Sequence, residues 1–418
     1  MSRYETYKES DFVGIGKVPE HWEVKRLKHL GEAIIGLTYS PNDVTENEEG
    51  ILVLRSSNIQ EGFISYDDCV YVDKEVNPNL ITRKGDILIC ARNGSAHLVG
   101  KNICIDEKSA GHTFGAFMVV FRGKFWRYLS YFFNSPIFTS QTGMFSTTTI
   151  NQLTSQTLNN LRIAYPSDSI EQENICNYLD NQTQKIDRLI ANKKAQAEKL
   201  KELRQIEINN AVTKVLNPNA EMKDSGIEWL GKIPKHWDVK HLKRAFKFFN
   251  NIRIPLSSEE RADLENIYDY YGASGIIDKV DRYLFDGDFI LIGEDGANLV
   301  FRSTPLAFKA SGKFWVNNHA HILQPIKGDI DYNTFMLESL DYSIYISGSA
   351  QPKLTIEALS SMRVIVPPKD EQIEIANYLK ERTTAIDQLI KNIEAQIEKL
   401  QELRKIKIYE AVTGKKQK

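Results

Sequence analysis

Apolar residues near the end of the chain recur at alternating steps of four and three, which is the spacing of a helix that packs along another helix. Charged residues occupy the positions between them. The stripe consists of Ile386, Ile390, Ile393, Ile397 and Leu400. A thinner stripe with the same spacing occurs earlier in the chain and consists of Ile186, Ile190, Ala197 and Leu200. The pattern therefore predicts two long amphipathic helices.

A long helix with one apolar side needs a partner, and the nearest partner is the second copy in the same chain. If each copy is helical throughout, it forms a rod on the order of 65 Å long. The two helices could pair in parallel or antiparallel. We favour an antiparallel coiled coil, which has a pseudo-two-fold axis as in an isologous dimer. Such a pair could act as a ruler, because its length is comparable to one or two turns of B-DNA at ~34 Å each.

The helices belong to a tandem duplication of the whole chain. The segment Gly16–Lys25 returns as Gly231–Lys240, with a Pro-x-His-Trp motif in both copies. The segment Glu171–Thr213 returns as Glu371–Thr413, and more than half of its positions are identical. The residues between the repeated segments diverge. This pattern predicts two similar arms with two different faces, and it favours recognition of a two-part target over a single active site.

The divergent regions contain short apolar runs bounded by Gly, Asn and Asp, which are typical of strands joined by turns. Examples are Ile51–Leu54, Asp86–Ile89 and Phe289–Ile292. We predict an α+β fold with two globular domains joined by the two long helices. The predicted segments are a first globular domain at 1–165, a first helix at 166–214, a second globular domain at 215–366, and a second helix with a basic tail at 367–418.

Composition narrows the function classes. The formal net charge is -2 and the sequence pI is about 6.5, so the chain lacks the overall basic character of many nucleic-acid binders. No signal sequence or membrane-spanning run is evident, which predicts a cytoplasmic protein without a membrane partner. The four cysteines show no CxxC spacing, so neither a zinc site nor a disulfide framework is expected.

Motifs for catalysis are missing from the sequence. It contains no Gly-x-x-x-x-Gly-Lys-[Ser/Thr] phosphate loop, no Asn-Pro-Pro-aromatic motif for holding a flipped base, and no convincing acidic pair with a Glu-x-Lys for a nuclease. We therefore predict no catalytic residues. His319 and His321 would lie on one side of a strand, but no further His or Cys is nearby, so polar strand residues are favoured over a metal site.

The repeated His-Trp dipeptide favours a structural interpretation. Pro would fix the turn, Trp would pack the first strand onto the core, and His would cap the turn.

Candidate DNA contacts follow from side-chain chemistry. Lysines in the basic runs after the His-Trp motif are expected to contact phosphates: Lys25, Lys28, Lys240 and Lys243. Arg and Lys suit guanine, and Asn suits adenine. On predicted loops and strand ends of the divergent regions these residues are Arg55, Asn58, Arg92, Asn93, Lys101, Asn298, Arg302, Lys309, Asn317 and Asn318. The competing interpretation of each is a solvated side chain or a turn cap.

Several motifs taken together resemble the specificity subunits of type I restriction-modification systems. They are Met222–Trp237, Leu354-Thr355, Met362–Pro367, Glu371-Gln372 and Ile375–Leu379, with first-copy counterparts that include Leu153-Thr154, Leu161–Ile163 and Glu171-Gln172. The resemblance spans nearly the whole chain. One departure is the shorter opening Phe12–Gly16, which lacks the Trp found at 229 in the second copy.

The resemblance implies a non-catalytic subunit with two target-recognition domains, each of which reads one half of an asymmetric bipartite site in double-stranded DNA. It implies that the helices set the gap between the half-sites. It also implies two methylation subunits, which bind S-adenosylmethionine and methylate adenine, and restriction subunits with ATP-dependent translocation and nuclease activity. S-adenosylmethionine, ATP and Mg would then belong to the partners, and the assembly would serve in phage defence.

Two alternatives remain at this point. The first is a coiled-coil adapter whose two domains bind proteins, which fits the divergent loops almost as well on physical grounds. The second is a specificity subunit of a methylation-only or fused nuclease-methylase system. The family motifs favour DNA recognition over the adapter.

Overall fold

The computed structural model describes residues 4–415 except 11, 13, 47–49, 61, 145–150, 215–218, 228–229 and 349–350. The chain divides into two compact units. Unit 1 comprises Met1–Lys193 with Ala395–Lys418, and unit 2 comprises Lys194–Glu394. Each unit therefore contains one divergent domain, the first part of one long helix and the last part of the other. We call the divergent region between the repeated segments reader 1 in unit 1 (26–170) and reader 2 in unit 2 (241–370).

Unit 1 is built from short strands, three short helices and the first long helix. Its strands are Tyr7–Glu9 (β1), Lys17–Pro19 (β2), Trp22–Arg26 (β3), Gly31–Ile35 (β4), Val44–Thr45 (β5), Ile51–Leu54 (β6), Tyr71–Val72 (β7), Ile87–Cys90 (β8), Asn102–Cys104 (β9), Thr113–Phe114 (β10), Met118–Gly123 (β11) and Arg162–Pro166 (β12). Its helices are Trp126–Phe133 (α1), Pro136–Met144 (α2), Ser155–Asn160 (α3) and Ser169–Lys214 (α4), which continues into unit 2. Its 3₁₀ turns are Leu27–His29, Pro41–Asp43, Ser56–Asn58, Pro78–Leu80 and Ala96–Leu98.

Two four-stranded sheets form the centre of reader 1. The first is antiparallel with the order β4-β11-β8-β9, and the second has the order β10-β6-β7-β5 with β10 parallel to β6. Buried strands of the first sheet, such as Ile87–Cys90, supply side chains to core on both faces, which explains their uninterrupted apolar sequence. Gly85 precedes this strand with φ +89°, and a Cβ there would lie 2.8 Å from the Trp126 ring, so the turn requires glycine.

Unit 2 repeats this plan with additional elements. Its strands are Met222–Asp224 (β13), Lys232–Pro234 (β14), Asp238–His241 (β15), Phe246–Phe248 (β16), Tyr268–Gly272 (β17), Gly275–Val280 (β18), Phe285–Asp286 (β19), Phe289–Gly293 (β20), Ala307–Ala310 (β21), Lys313–Val316 (β22), Ala320–Pro325 (β23), Ile346–Ser347 (β24), Lys353–Leu354 (β25) and Arg363–Val366 (β26). Its helices are Leu242–Ala245 (α5), Ser258–Ala262 (α6), Asn298–Phe301 (α7), Ile330–Ser339 (α8), Ile356–Ser361 (α9) and Lys369–Val412 (α10), which continues into unit 1; its 3₁₀ turns are Asn250–Ile252 and Ser343–Tyr345.

The two readers share one sheet and differ in the other. The sheet β16-β23-β20-β21 has the same order of corresponding strands as β4-β11-β8-β9. The second sheet of reader 2 has the order β18-β17-β22-β19, and β17 pairs antiparallel with β18 and parallel with β22, as β6 does with β7 and β10. The fourth strand differs, because β19 pairs with β22 in reader 2 whereas β5 pairs with β7 in reader 1. The α+β prediction is confirmed, and the divergence between the copies extends to the position of one edge strand in this second sheet.

The repeated Leu-Thr and Glu-Gln dipeptides have the same local function in both units. Thr154 and Thr355 accept a hydrogen bond from the backbone N–H three residues later, so each caps the short helix that follows. The side-chain amides of Gln172 and Gln372 donate to the carbonyls of Pro166 and Pro367. These bonds fix the start of each long helix against the strand that precedes it.

The long helices run antiparallel within each unit, as predicted. In unit 1, Ile175 and Leu179 of α4 share a core with Ile408 and Val412 of α10. Farther along the same pair, Arg404 Nε donates to Asp187 Oδ1 at 2.9 Å, so residue numbers rise on one helix as they fall on the other. In unit 2, the ion pair between Arg204 and Asp387 is the equivalent contact, also at 2.9 Å.

The predicted apolar stripes lie on covered faces of the helices. Ile186, Ile190, Ala197 and Ile386 are buried, and Leu200, Ile390, Ile393, Ile397 and Leu400 are half-buried. Because each helix contributes to both compact units, these units cut across the segments 166–214 and 367–418 predicted from the sequence. The sequence Asn217-Pro218-Asn219, which is typical of a turn or linker, marks the junction between the two copies, and its first two residues lie outside the described part of the chain.

Candidate nucleic-acid interface

A carboxylate at the start of each long helix binds the His-Trp motif of the same unit. Trp22 Nε1 donates to Glu171 at 3.0 Å, and the His21 ring lies 2.8 Å from the other carboxylate oxygen. Tyr4 adds a third contact, because its hydroxyl donates to Glu171 at 2.6 Å. Burial opposes ionisation of Glu171, but the bonds from Tyr4, Trp22 and His21 outweigh it and lower the pKa of this carboxyl.

Unit 2 has the same arrangement. Glu371 accepts from Trp237 Nε1 at 2.9 Å and lies 2.6 Å from His236 Nε2. Both indoles are fully buried in the core of their unit, which confirms the predicted packing of Trp. The prediction that His caps the turn was wrong, because each imidazole instead pairs with the helix carboxylate. The His-Trp motif therefore fastens each reader to its helix.

The strand after each His-Trp motif leads into a basic surface. In unit 1, Val24, Lys25, Arg26, Lys28, His29 and Arg162 line an open groove. Arg26 lies directly opposite Arg162 in the antiparallel pair β3–β12, and His241 lies opposite Arg363 in β15–β26. Like charges at opposite positions destabilise a sheet, so an anion bound beside Arg26 and Arg162 would offset their repulsion.

The four lysines that are predicted to contact phosphates lie on these basic surfaces, two in each unit. Two of the four already pair with a carboxylate. Lys25 forms an ion pair with Glu23, and Lys240 lies 3.2 Å from Asp238. Lys28 and Lys243 are exposed, and within the described residues neither ammonium has a hydrogen-bond or ion-pair partner. The ammonium groups of Lys28 and Lys243 are therefore accessible for contact with a phosphate.

In reader 1, Arg55 and Asn58 stabilise one loop. Asn58 is buried; its oxygen accepts from the backbone of Arg55, and its amide donates to the carbonyls of Ser65 and Asp68. The Arg55 guanidinium pairs with Asp68 at 2.8 Å. The predicted DNA contact of Asn58 stays a prediction, and in this conformation its polar atoms already have protein partners.

Arg92, Asn93 and Lys101 lie between β8 and β9. Asn93 donates to Ser56, which brings this segment beside the loop of Arg55 and Asn58. Arg92 is exposed, and its guanidinium carbon lies 5.2 Å from the centre of the Phe117 ring. Four of the five candidates of reader 1 are thus brought to one region, and the half-buried Lys101 lies near the beginning of β9.

In reader 2, Asn298 and Arg302 serve the turn that follows β20. Asn298 accepts from Ser303 and from the backbone N–H of Thr304, which closes the loop. Arg302 has φ 47° and donates to the carbonyls of Leu340 and Glu338. Both contacts with DNA stay predictions, and the side chains have structural partners in this conformation.

The remaining candidates of reader 2 differ in exposure. Lys309 is held between Asp288 at 2.9 Å and Asp331 at 3.3 Å. Asn317 is buried and accepts from the backbone N–H of His319. Asn318 is exposed, and its side chain has no hydrogen-bond partner within the described residues. Asn318 is therefore the most available of the five candidates in this reader.

The two histidines of the His-Ala-His sequence have separate environments. His321 is fully buried between the Leu354 carbonyl and the Asn250 amide, and its burial lowers its pKa. His319 is exposed and pairs with Asp295. Among the described residues, no group of three His, Cys, Asp or Glu side chains is arranged to hold a metal ion.

The family model that matches the chain is described as the type I restriction modification DNA specificity domain. It matches residues 19–199 and 234–399, which together cover most of the chain. The chain belongs to this family.

The two regions that match the specificity-domain model begin at equivalent prolines, Pro19 and Pro234. They end at equivalent lysines, Lys199 and Lys399. Each match therefore contains one His-Trp motif, one reader and the first part of one long helix. The family model therefore matches the repeated His-Trp motif and long helix once in each copy.

Curated relatives carry the same designation. A type I restriction enzyme specificity subunit of Haemophilus influenzae is 34% identical over 162 residues, or 38% of each chain. The EcoprrI specificity subunit of Escherichia coli is 32% identical over 121 residues, or 29% of each chain. These alignments span well under two thirds of either relative. The MjaX specificity subunit of Methanocaldococcus jannaschii is 26% identical over 445 residues, which covers 98% of this chain and 97% of that protein.

A solved structure has the same fold. The structure concerns complex assembly and conformational transition of the type I R-M system, and one of its chains matches with a TM-score of 0.69 at 14% identity, covering 96% of this chain and 99% of that chain. Among the residues that the structure describes, no helix has both the length and the apolar character needed to cross a membrane.

Proposed function

We propose that this chain is the DNA sequence-specificity subunit of a type I restriction-modification enzyme. It binds an asymmetric bipartite site in double-stranded DNA, and each reader recognises one half-site. The observation that carries the proposal is that two readers are fastened to their helices by the same His-Trp-Glu contacts but expose different loops. A conserved frame with altered reading loops is what recognition of two different half-sites requires.

The division of labour within each unit supports this proposal. The basic surface around Lys28 in unit 1, and its counterpart around Lys243 in unit 2, positions the phosphate backbone. The exposed loops after β8 and β20 carry the base-reading side chains. Because the basic residues are duplicated, the near-neutral charge of the whole chain is compatible with local contacts to DNA.

The chain acts without a catalytic centre or a cofactor of its own. Two methylation subunits that use S-adenosylmethionine dock on the helical frame, and restriction subunits that use ATP and Mg join them in the cytoplasm. The family match supports this assignment of partners. The long antiparallel helices set the gap between the half-sites, and the assembly serves in defence against phage DNA.

Adenine methylation mapped across the host genome tests the proposal. Genomes with and without this chain are compared, while its methylation partner is kept. A bipartite motif with a fixed gap that disappears with the chain is the expected result. Methylation that is unchanged when the chain is removed would contradict the proposal and favour the adapter with two protein-binding domains.

The same experiment separates a second variant of the proposal. If the motif is present but no restriction accompanies it, the chain serves a methylation-only system. Genes encoded next to this one distinguish that case from a fused nuclease-methylase.

A further inference from the structure

One pair of positions is structurally equivalent in the two readers. In reader 1, Arg92 follows β8 and its backbone N–H donates to the carbonyl of Phe117, which directly precedes β11. In reader 2, Asp295 follows β20 and His319 directly precedes β23; the N–H of Glu294, beside Asp295, donates to the carbonyl of His319.

Isolated β-bridges confirm that Arg92 and Asp295 occupy equivalent positions. Arg92 bridges to Gln152 and Asp295 bridges to Lys353. Leu153 and Leu354, each the next residue after the bridged one, donate to the carbonyls of Ala91 and Glu294. The backbone is therefore held in the same way at both places.

The side chains at this equivalent pair differ completely in chemistry. In reader 1 they form a cation–aromatic contact, with the Arg92 guanidinium over the Phe117 ring at 5.2 Å. In reader 2 they form a hydrogen-bonded pair, with His319 Nδ1 2.9 Å from both oxygens of Asp295. Both members have changed together, while the backbone contacts around them have stayed the same.

Both pairs are accessible from solvent. Phe117 is 60% exposed, and the side chain of His319 is 48% exposed. Within the described residues, the guanidinium N–H donors of Arg92 and the Nε2 atom of His319 have no hydrogen-bond partner. A pair that served only to hold its loop would gain most by being buried, and the backbone bonds already hold the loop.

We propose that these paired positions determine base specificity in each half-site. This inference rests on the proposed function and names the residues that contact the bases. Arg92, oriented by the Phe117 ring, donates its fork of N–H groups to O6 and N7 of a guanine. The Asp295–His319 pair presents acceptors, so it reads an exocyclic amino group of cytosine or adenine. The opposite polarity of the two pairs makes the two half-sites different.

The test is selection from a pool of random duplex DNA by the full chain, purified with its methylation subunits, followed by sequencing of the bound fraction. The variants are Arg92→Lys, which keeps the charge but loses the fork, and Asp295→Asn, which keeps the shape but loses the charge. Asp281→Asn is the matched control, because Asp281 is another Asp of reader 2 whose carboxylate has a side-chain partner, Arg282.

The expected result is a loss of about tenfold in preference at one position of one half-site for Arg92→Lys, and at one position of the other half-site for Asp295→Asn. The control keeps both half-sites. Thermal melting of each variant confirms folding, and Phe117→Leu and His319→Gln provide second variants of each pair.

Unchanged preference at every position, or a uniform loss of affinity without a change in preference, would overturn the inference. Failure of the proposed function gives a different result, because the unaltered chain would then select no bipartite motif at all. Selection by the unaltered chain that still yields two half-sites separates the two outcomes.

Discussion

Replacing Glu171 by Gln tests whether the repeated carboxylate fastens reader 1 to its helix. Glu171 Oε1 accepts from the Tyr4 hydroxyl and from Trp22 Nε1, and both donors are at least partly buried. Glutamine keeps one acceptor oxygen but removes the charge. A hydrogen bond to a charged group contributes about 1 kcal/mol more than a neutral one, so two such bonds predict a loss of about 2 kcal/mol in the free energy of unfolding.

The contact with His21 adds little to this sum, because that side chain is about half exposed. For a unit of this size, about 2 kcal/mol corresponds to a fall in Tm of about 4–8 °C. Glu371→Gln is the matched variant in unit 2, where, among the described residues, the indole of Trp237 and the ring of His236 are the hydrogen-bond partners of the carboxylate. Its predicted loss is about half as large.

The assay is urea unfolding of both variants and the unaltered chain, with amide hydrogen exchange to identify which unit opens. The expected pH dependence follows from the lowered pKa of Glu171. A carboxyl whose pKa is lowered by folding stabilises the folded state above its ordinary pKa of about 4.5, and this contribution is lost as the pH falls through the folded value. The difference between the unaltered chain and Glu171→Gln is therefore largest at pH 7 and narrows below about pH 4.5.

Two results would contradict a stabilising role for the charge of Glu171. The first is equal stability of the unaltered chain and Glu171→Gln at pH 7. The second is a difference that stays constant down to pH 3.5, which would show that the loss comes from packing and not from the charge.

Three further predictions concern binding, spacing and stability. The double change Lys28→Gln with Lys243→Gln should reduce the slope of log K against log salt by about 1.8 and leave base preference unchanged; a changed preference would contradict a phosphate-contact role. One heptad inserted between Ile186 and Leu203 should lengthen the methylation gap without altering either half-site; a constant gap would show that the helices do not set it. Arg122→Met should cost about 3–5 kcal/mol in urea unfolding, because it leaves the buried carboxylate of Asp86, now 2.7 Å from Arg122, without its ion-pair partner; a loss below 1 kcal/mol would refute this.

The repeated elements could be predicted from the sequence because their physical signals are local. The stripe from Ile386 to Leu400 has helical spacing within one segment, and strands such as Phe289–Gly293 are continuous apolar runs between turn residues. Pairing of the helices followed from the need of each amphipathic helix for a partner, and the antiparallel direction was favoured because it gives a pseudo-two-fold axis. These predictions required no knowledge of distant contacts.

The His-Trp-Glu contact was missed because its members are far apart in sequence. Glu171 lies 150 residues from His21, and no local pattern links them. The available signal was repetition, since the same three residue types recur as His236, Trp237 and Glu371. Residues that repeat together in a duplicated chain are candidates for direct contact.

Exposure of single polar residues was the least predictable property. Asn58 and Asn317 lie in loops, where a polar side chain is usually solvated, but each is buried and bonded to its own loop backbone. Conversely, Phe117 is exposed beside Arg92, although an aromatic residue next to a buried strand is usually part of the core. Whether a loop side chain turns inwards depends on unsatisfied backbone groups nearby, and the sequence does not reveal where these groups lie.

Exchange of reader 1 tests whether each domain reads its own half-site. The segment between about Leu30 and Leu153 is replaced by that of another family member, and adenine methylation is then mapped across the genome. Separate reading predicts that one half-site changes while the other half-site stays the same. A change in both half-sites, or in neither, would contradict separate reading by the two domains.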